Sequence, residues 1–144
     1  MDNFMNLTLA AKSCNEAFAR SVVAAFTAPL NPTIDEINDI KTAVSEAVTN
    51  CIVHAYNRDE SGIINIDAKL IGNVIHIAVA DQGVGIEDIA KARQPFFTTK
   101  GDEEDRSGLG FTVMETFMDS LSVEPNGEKG VVVTMTKAIN HTEG

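Results

Sequence analysis

Three short segments of this chain carry residue types that could do chemistry together. Residues 46–50 place a glutamate and an asparagine four positions apart. Residues 81–85 end an apolar run with an aspartate and two glycines, and residues 107–110 carry a glycine pair before an apolar stretch. Each segment alone is a weak signal. In this order and with these gaps, they predict a pocket for a purine nucleotide and its phosphates.

The first segment supplies the candidate reactive groups. On a helix, Glu46, Asn50 and His54 form one polar line, with Glu46 and Asn50 about 6 Å apart along the axis. A solvent-facing surface explains such lines on most amphipathic helices, but asparagine is a poor helix former. Its side-chain oxygen suits Mg²⁺, and a neighbouring glutamate can take a proton from a hydroxyl. Glu46 is therefore the candidate catalytic base, and Asn50 the candidate metal ligand.

The second segment could recognise the base of the nucleotide. An acid at the end of a strand usually marks only the point where the chain reaches solvent. Gly83 and Gly85 change this interpretation, because glycines allow positive φ or a close backbone approach. The exocyclic amine of adenine donates hydrogen bonds, and an ionised Asp81 accepts them. Asp81, Gly83 and Gly85 are therefore candidate nucleotide contacts.

The third segment could hold phosphates. Backbone N–H groups at Ser107, Gly108 and Gly110 can point at an anion at the start of a helix. The segment lacks the lysine and Ser/Thr of a P-loop, and it is not a dinucleotide fingerprint. The preceding polar residues 96–108 suit either a surface loop or a lid that closes over phosphates. The candidate contacts of such a lid are Thr98, Thr99, Lys100 and Arg106.

Composition limits the class of protein. The 144 residues suit one domain, residues 1–144, and a formal net charge of −10 argues against direct nucleic-acid binding. We find no apolar run long enough to span a membrane and no signal-peptide pattern at the N-terminus. Cys14 and Cys51 lack metal-ligand spacing. They are expected to be reduced thiols in a cytoplasmic protein.

Periodicity predicts helices and strands that would position the three segments. A first helix, 13–27, has Ser13 as its N-cap and Phe18, Val22 and Phe26 on one face. A second, 33–55, opens with a Thr33–Glu36 capping box. A short helix at 87–93 and a helix at 109–117 follow. The predicted strands are 4–10, a hairpin of 64–68 with a central strand 74–80, then 120–124 and 131–136, before a polar tail at 138–144.

The motifs resemble a known superfamily. Glu46 to Asn50, Asp81-x-Gly83-x-Gly85 and Gly108-x-Gly110 resemble the N, G1 and G2 boxes shared by gyrase, Hsp90, histidine kinases and MutL (GHKL). Within it, the chain most closely resembles the sporulation branch of the anti-sigma factor serine kinases, over about residues 4–137. The residues that carry this resemblance are Phe18–Arg20, Thr42–Asn50 and Arg93–Lys100.

The resemblance implies a fold and an activity. The fold would be α+β, a two-layer sandwich with helices on one face of a mixed, mainly antiparallel sheet. The activity would be that of a homodimeric anti-sigma factor that binds and inhibits a sporulation sigma factor. It would use Mg²⁺ and ATP to phosphorylate a serine on an anti-anti-sigma protein. Glu46 would be the base, Asn50 would hold Mg²⁺, Asp81 would read adenine, and Arg20 would contact the partners.

One residue departs from the superfamily pattern, and alternatives remain. Val131 follows Gly130 where many members have a hydroxyl residue that helps to hold adenine. A general stress-response anti-sigma kinase is one alternative, and an ATP-gated binding module without transfer activity is another, although a passive binder needs no Glu46. A histidine kinase catalytic domain would be expected to come with a helical dimerisation segment, for which 144 residues leave no room.

Overall fold

The computed structural model describes residues 2–85 and 110–139, and within them an α+β fold. In chain order the elements are β1 (Asn3–Ala10), α1 (Cys14–Thr27), a short 3-10 helix (Ala28–Leu30), α2 (Ile34–Asn50), a π-helical segment (Cys51–Ala55), β2 (Ile63–Ile71), β3 (Val74–Ala80), α3 (Gly110–Phe117), β4 (Ser120–Pro125) and β5 (Val131–Ala138). None of the described helices is long and apolar enough to cross a membrane.

The described strands form one five-stranded sheet in the order β1-β2-β3-β5-β4. Each neighbouring pair of described strands is antiparallel, which agrees with the mainly antiparallel sheet that the resemblance implied. The predicted hairpin and the central position of the nearly apolar β3 are both confirmed. On β2, alternate residues are buried, while Asp67 and Lys69 are exposed on the other face. The sheet therefore buries one face against the helices.

Helix α2 lies in contact with both α1 and α3. Its buried residues are Ile40, Ala43, Val44, Ala47 and Val48. The face predicted for α1 is partly wrong. Phe18 is 51% exposed, and the fully buried positions are Ala19, Val23 and Thr27. Phe26 does pack against the core from a partly buried position. The apolar stripe is wide enough that tertiary contacts, not spacing alone, select which edge is covered.

The two predicted helix caps have different outcomes. The Thr33 hydroxyl accepts a hydrogen bond from Glu36 N at 3.1 Å, and Glu36 Oε1 accepts one from Thr33 N at 2.9 Å. The capping box is thus confirmed. Ser13 occupies the N-cap position of α1, but its backbone is helical and its side chain makes no capping hydrogen bond. The capping role predicted for Ser13 is therefore wrong.

Other element ends differ modestly from the predictions. The predicted helix 33–55 changes to π-helical geometry after Asn50. Strand β5 extends to Ala138, and Ile139 is buried in the core, so the first two residues of the predicted tail belong to the folded part. The predicted short helix at 87–93 and the predicted lid at 96–108 lie outside the described residues.

The contrast between the two caps gives a test of stability. Thr33→Ala removes one of the two hydrogen bonds of the capping box and should lower the unfolding free energy by about 1 kcal/mol. Ser13→Ala, the matched control, should change it by less than about 0.5 kcal/mol, because no capping bond is lost. Urea denaturation of both variants measures the difference. Equal losses would contradict the assigned caps.

Candidate functional site

The C-terminal half of α2 meets the start of α3. A Cβ added at Gly110 would lie 3.1 Å from Asn50 Nδ2, 3.2 Å from Asn50 Oδ1 and 3.4 Å from Glu46 Oε1. The structure thus brings together three of the predicted site residues. A Cβ at position 110 would crowd the carboxamide and would touch the carboxylate. Glycine here lets the first described turn of α3 approach both groups closely.

The π-helical segment Cys51–Ala55 joins α2 to the second motif. Ala55 O accepts a hydrogen bond from Val84 N at 3.0 Å. A Cβ on Gly83 would come within 2.2 Å of the same carbonyl oxygen, so no larger residue fits there without a backbone shift. Gly85 has a φ of +80°, as the sequence predicted for a glycine needed at positive φ. π-Helical turns recur at functional sites, and this one aligns two of the three motifs.

Asp81 accepts hydrogen bonds at both carboxylate oxygens. It is 6% exposed and lies just beyond the end of β3. Its Oδ1 accepts hydrogen bonds from Gly83 N at 3.0 Å and Val131 N at 3.2 Å. Its Oδ2 accepts one from Cys51 Sγ at 3.6 Å. The carboxylate is therefore held between the second motif, the start of β5 and the residue that follows Asn50.

Burial shifts the pKa of both Asp81 and the Cys51 thiol. Desolvation raises the pKa of Asp81, while the hydrogen bonds from Gly83, Cys51 and Val131 lower it in part. Desolvation also raises the pKa of Cys51 well above its ordinary value, and the nearby Asp81 charge adds to this. Cys51 is therefore a neutral thiol that donates, and Asp81 is the acceptor. A buried acid with a perturbed pKa is a candidate for a functional role.

Three residues that support Asp81 were missed by the sequence reasoning. Cys51 was expected only to be a reduced thiol. Asn126, which was not predicted to have a role, donates from Nδ2 to Asp81 O at 2.7 Å. Gly130 has a φ of +93°, and a Cβ there would come within 2.0 Å of Asp81 O. A glycine immediately before a strand was the available signal for the last of these.

The other predicted residues are less closely tied to this cluster. Arg20, on α1, bonds to Glu16 Oε2 at 2.6 Å and to Ser45 Oγ at 3.3 Å. Ser45 also hydrogen-bonds to Glu16, and it precedes Glu46 in the chain. The remaining predicted contacts lie outside the described residues: Thr98, Thr99, Lys100, Arg106, Ser107 and Gly108.

The described residues contain no group of three or more histidine, cysteine or acidic side chains that could hold a metal ion. A Mg²⁺ ion at the Asn50 oxygen would take its other ligands from phosphates and water. Mg²⁺ commonly binds in this way in nucleotide sites. The amide oxygen beside Gly110 therefore fits a magnesium–nucleotide complex better than a metal bound by protein alone.

Comparisons of this chain with family models and with known proteins agree on its family. The family model for a histidine kinase-like ATPase domain matches residues 9–137. An anti-sigma F factor of Thermoanaerobacter sp. (strain X514) is 62% identical over 95% of this chain and 94% of that protein. The chain belongs to the family of the anti-sigma F factors. Another member, from Geobacillus stearothermophilus, is 55% identical over 96% of this chain and 94% of its own length.

Solved structures agree on the fold of this family. The RsbU and RsbW domains of Rv1364c from Mycobacterium tuberculosis match with a TM-score of 0.67 at 21% identity, over 95% of this chain and 32% of that longer one. The catalytic domain of histidine kinase ThkA matches with a TM-score of 0.61 at 21% identity, over 95% of this chain and 98% of that one. The α+β fold of a histidine kinase-like ATPase is thereby confirmed.

Asp81→Asn tests whether the buried carboxylate reads the base. An asparagine can keep Oδ1 as the acceptor for the two backbone N–H groups, so the fold should survive. Its NH₂ would then replace Oδ2. This NH₂ and the adenine amine are both hydrogen-bond donors, so no hydrogen bond could form between them. ADP affinity should fall about tenfold or more, as for the loss of a hydrogen bond to a charged group. Calorimetric titration measures the affinity, and circular dichroism checks the fold. Unchanged affinity would remove Asp81 from the adenine site.

Proposed function

We propose that this protein is an anti-sigma factor that binds and inhibits a sporulation sigma factor. In this proposal it also uses Mg²⁺ and ATP to phosphorylate a serine on an anti-anti-sigma protein. Membership of the anti-sigma F family over almost the whole chain supports the first activity. The histidine kinase-like ATPase domain supports the second. We also propose a single domain and a homodimer in the cytoplasm.

One observation carries the kinase proposal, namely that Gly110 lies close to the side chains of both Glu46 and Asn50. A site that only bound nucleotide would need Asn50 for the metal and Asp81 for the base. It would not need a carboxylate beside the start of α3. Phosphoryl transfer does need an acceptor for the proton of the attacking hydroxyl, and Glu46 lies where it could serve.

The remaining roles follow from the arrangement of the pocket. Asp81 would bind the adenine amine, with Gly83 and Gly85 allowing the base to approach the backbone. Asn50 would hold Mg²⁺ against the phosphates, and Gly110 would line the phosphate end. We propose that the other phosphate contacts come from Thr98, Thr99, Lys100, Arg106, Ser107 and Gly108. Catalysis would then consist mainly of positioning and charge neutralisation.

An ATP-gated sigma-binding module without transfer activity is the second candidate. Its support is the strong burial of Asp81, which gives a nucleotide sensor whether or not transfer occurs. A general stress-response anti-sigma kinase is the alternative within the same reaction class. Incubation with γ-labelled ATP and each type of anti-anti-sigma protein separates these possibilities. Label on the sporulation substrate supports the proposal, and nucleotide binding without label on either substrate supports the module.

Glu46→Gln isolates the transfer step. The amide keeps the size of the side chain but cannot take a proton at neutral pH. Mg·ATP should bind nearly normally, while serine phosphorylation should slow by about 10²–10⁴-fold. Glu60→Gln, in the exposed turn before β2, is the matched control and should retain the wild-type rate. Phosphorylation within a few-fold of wild type for Glu46→Gln would reject Glu46 as the base.

Arg20 offers a surface for protein partners. Its side chain is 40% exposed although it is paired with Glu16, so the guanidinium can still reach a second carboxylate. An arginine can bind such a group through two parallel hydrogen bonds. If the sigma factor and the anti-anti-sigma protein both use this contact, one displaces the other by direct competition.

Charge reversal at this position tests the shared contact. Arg20→Glu would face Glu16 with a like charge and repel an acidic partner. Both partner affinities should fall by about 30-fold or more, the size of a hot-spot loss. ATP affinity should stay near wild type. Lys69→Glu, on the exposed sheet face, controls for the change in net charge. If both proteins still bind Arg20→Glu at wild-type strength, the partner surface lies elsewhere.

A further inference from the structure

The two carboxylate oxygens of Asp81 have different surroundings. Oδ1 accepts two backbone N–H groups, from Gly83 and Val131. Within residues 2–85 and 110–139, Oδ2 accepts one hydrogen bond, from the thiol of Cys51. A carboxylate oxygen offers about two lone-pair sites. Among the described residues, Oδ1 thus has two donors and Oδ2 has one, so Oδ2 is the oxygen that we consider as the acceptor for a ligand.

The residue opposite Asp81 on β5 is apolar. Ala80 pairs with Val132 across β3 and β5, and the ladder continues with Asp81 N donating to Val131 O at 3.0 Å. The side chain of Val131 has no donor to offer the carboxylate. Among the described residues, the side chain that donates to Oδ2 comes from the helix side of the site, where Cys51 lies.

Cys51 is well placed to control that orientation. It is 4% exposed and follows Asn50 directly, at the first position of the π-helical segment. Its Sγ lies 3.6 Å from Asp81 Oδ2, so the thiol hydrogen can point at that oxygen. A thiol is a weak donor. In a buried site even a weak donor favours one carboxylate orientation over its alternatives, since water does not compete.

We propose that Cys51 is a positioning residue for purine selection, whose thiol holds Asp81 Oδ2 ready for a 6-amino group. This inference rests on the proposed nucleotide site and adds to it a residue that does not itself touch the base. It predicts that loss of the thiol weakens recognition of a 6-amino purine more than that of a 6-keto purine. A residue that only filled the core would affect both equally.

The test compares ADP with inosine diphosphate on the same preparation of each variant. Partial unfolding lowers the apparent affinity for both nucleotides by the same factor. It therefore cancels in the ratio of the two dissociation constants measured for one variant. Cys51→Ala should reduce the preference for ADP by about three- to tenfold, the size of one net hydrogen bond. Cys51→Ser keeps a donor and should retain most of the preference. Cys14→Ala, at the exposed cysteine, is the matched control and should behave as wild type.

The outcomes separate this inference from the proposed function. If the wild-type protein binds neither nucleotide, the proposed site itself fails. If it prefers ADP and Cys51→Ala keeps the full preference, or weakens both nucleotides equally, only the positioning role of Cys51 is overturned.

A spectroscopic measurement covers the case in which Cys51→Ala fails to fold. In Cys14→Ala protein, Cys51 is the remaining thiol, and its S–H stretching band in the infrared should lie at the lower frequency of a hydrogen-bonded donor. Adding Asp81→Asn replaces the charged acceptor, so the band should move to higher frequency. Identical bands in the two proteins would mean that the thiol does not bond to Asp81, and the proposal would be wrong.

Discussion

The burial of one carboxylate constrains the whole site. Asp81 leaves water almost completely, and an isolated charge in such a place is strongly unfavourable. The fold offsets this by directing donors from three separate segments at it: the second motif, the start of β5 and the end of α2. These segments are far apart in sequence and must arrive together. The ordering of the site is therefore coupled to the folding of the sheet and α2.

Close backbone approach makes that convergence possible. Gly83 lies against the carbonyl of Ala55, and Gly130 lies against the carbonyl of Asp81. In both places a Cβ would overlap a backbone atom, which cannot move as a flexible side chain can. The π-helical segment adds to this by presenting the Ala55 carbonyl to Val84. Glycine is thus needed at these positions because one stretch of backbone packs directly against another. A positive φ is required at only some of the glycines of the site.

Much of the fold could be predicted because its signals are local. The Thr33–Glu36 capping box, the β2–β3 hairpin and the nearly apolar β3 each depend on neighbouring residues, and the structure confirms all three. The errors arise where tertiary contacts decide. Phe18 has a suitable helical spacing but falls at the edge of the stripe that α2 covers. Ser13 has a capping residue type but a helical backbone, which turns its side chain away from that role.

The sequence indicated the acidic and amide residues of the candidate site, but it did not indicate the residues that hold them in place. Glu46 and Asn50 were predicted from their residue types and spacing, and Gly110 from its place in a glycine pair, and the structure brings the three close together. Cys51 could not be recognised in this way, because a cysteine on a buried helix face has the pattern of an ordinary core residue. Its partner lies 30 positions away, and only the tertiary fold brings the thiol to the carboxylate.

The charge of the chain explains why these supports are mostly neutral. With a formal net charge of −10, the protein would repel a polyphosphate at long range. The described part of the site holds its one buried acid with backbone N–H groups and a thiol, not with lysine or arginine. In the proposed site, no cation would then be needed beside Asp81. The positive potential for a nucleotide would be concentrated near Asn50 and Gly110, which lie close to Glu46. An acidic protein can bind an anionic ligand in this way, provided that the charge compensation is local and arrives in part with the ligand's own metal ion.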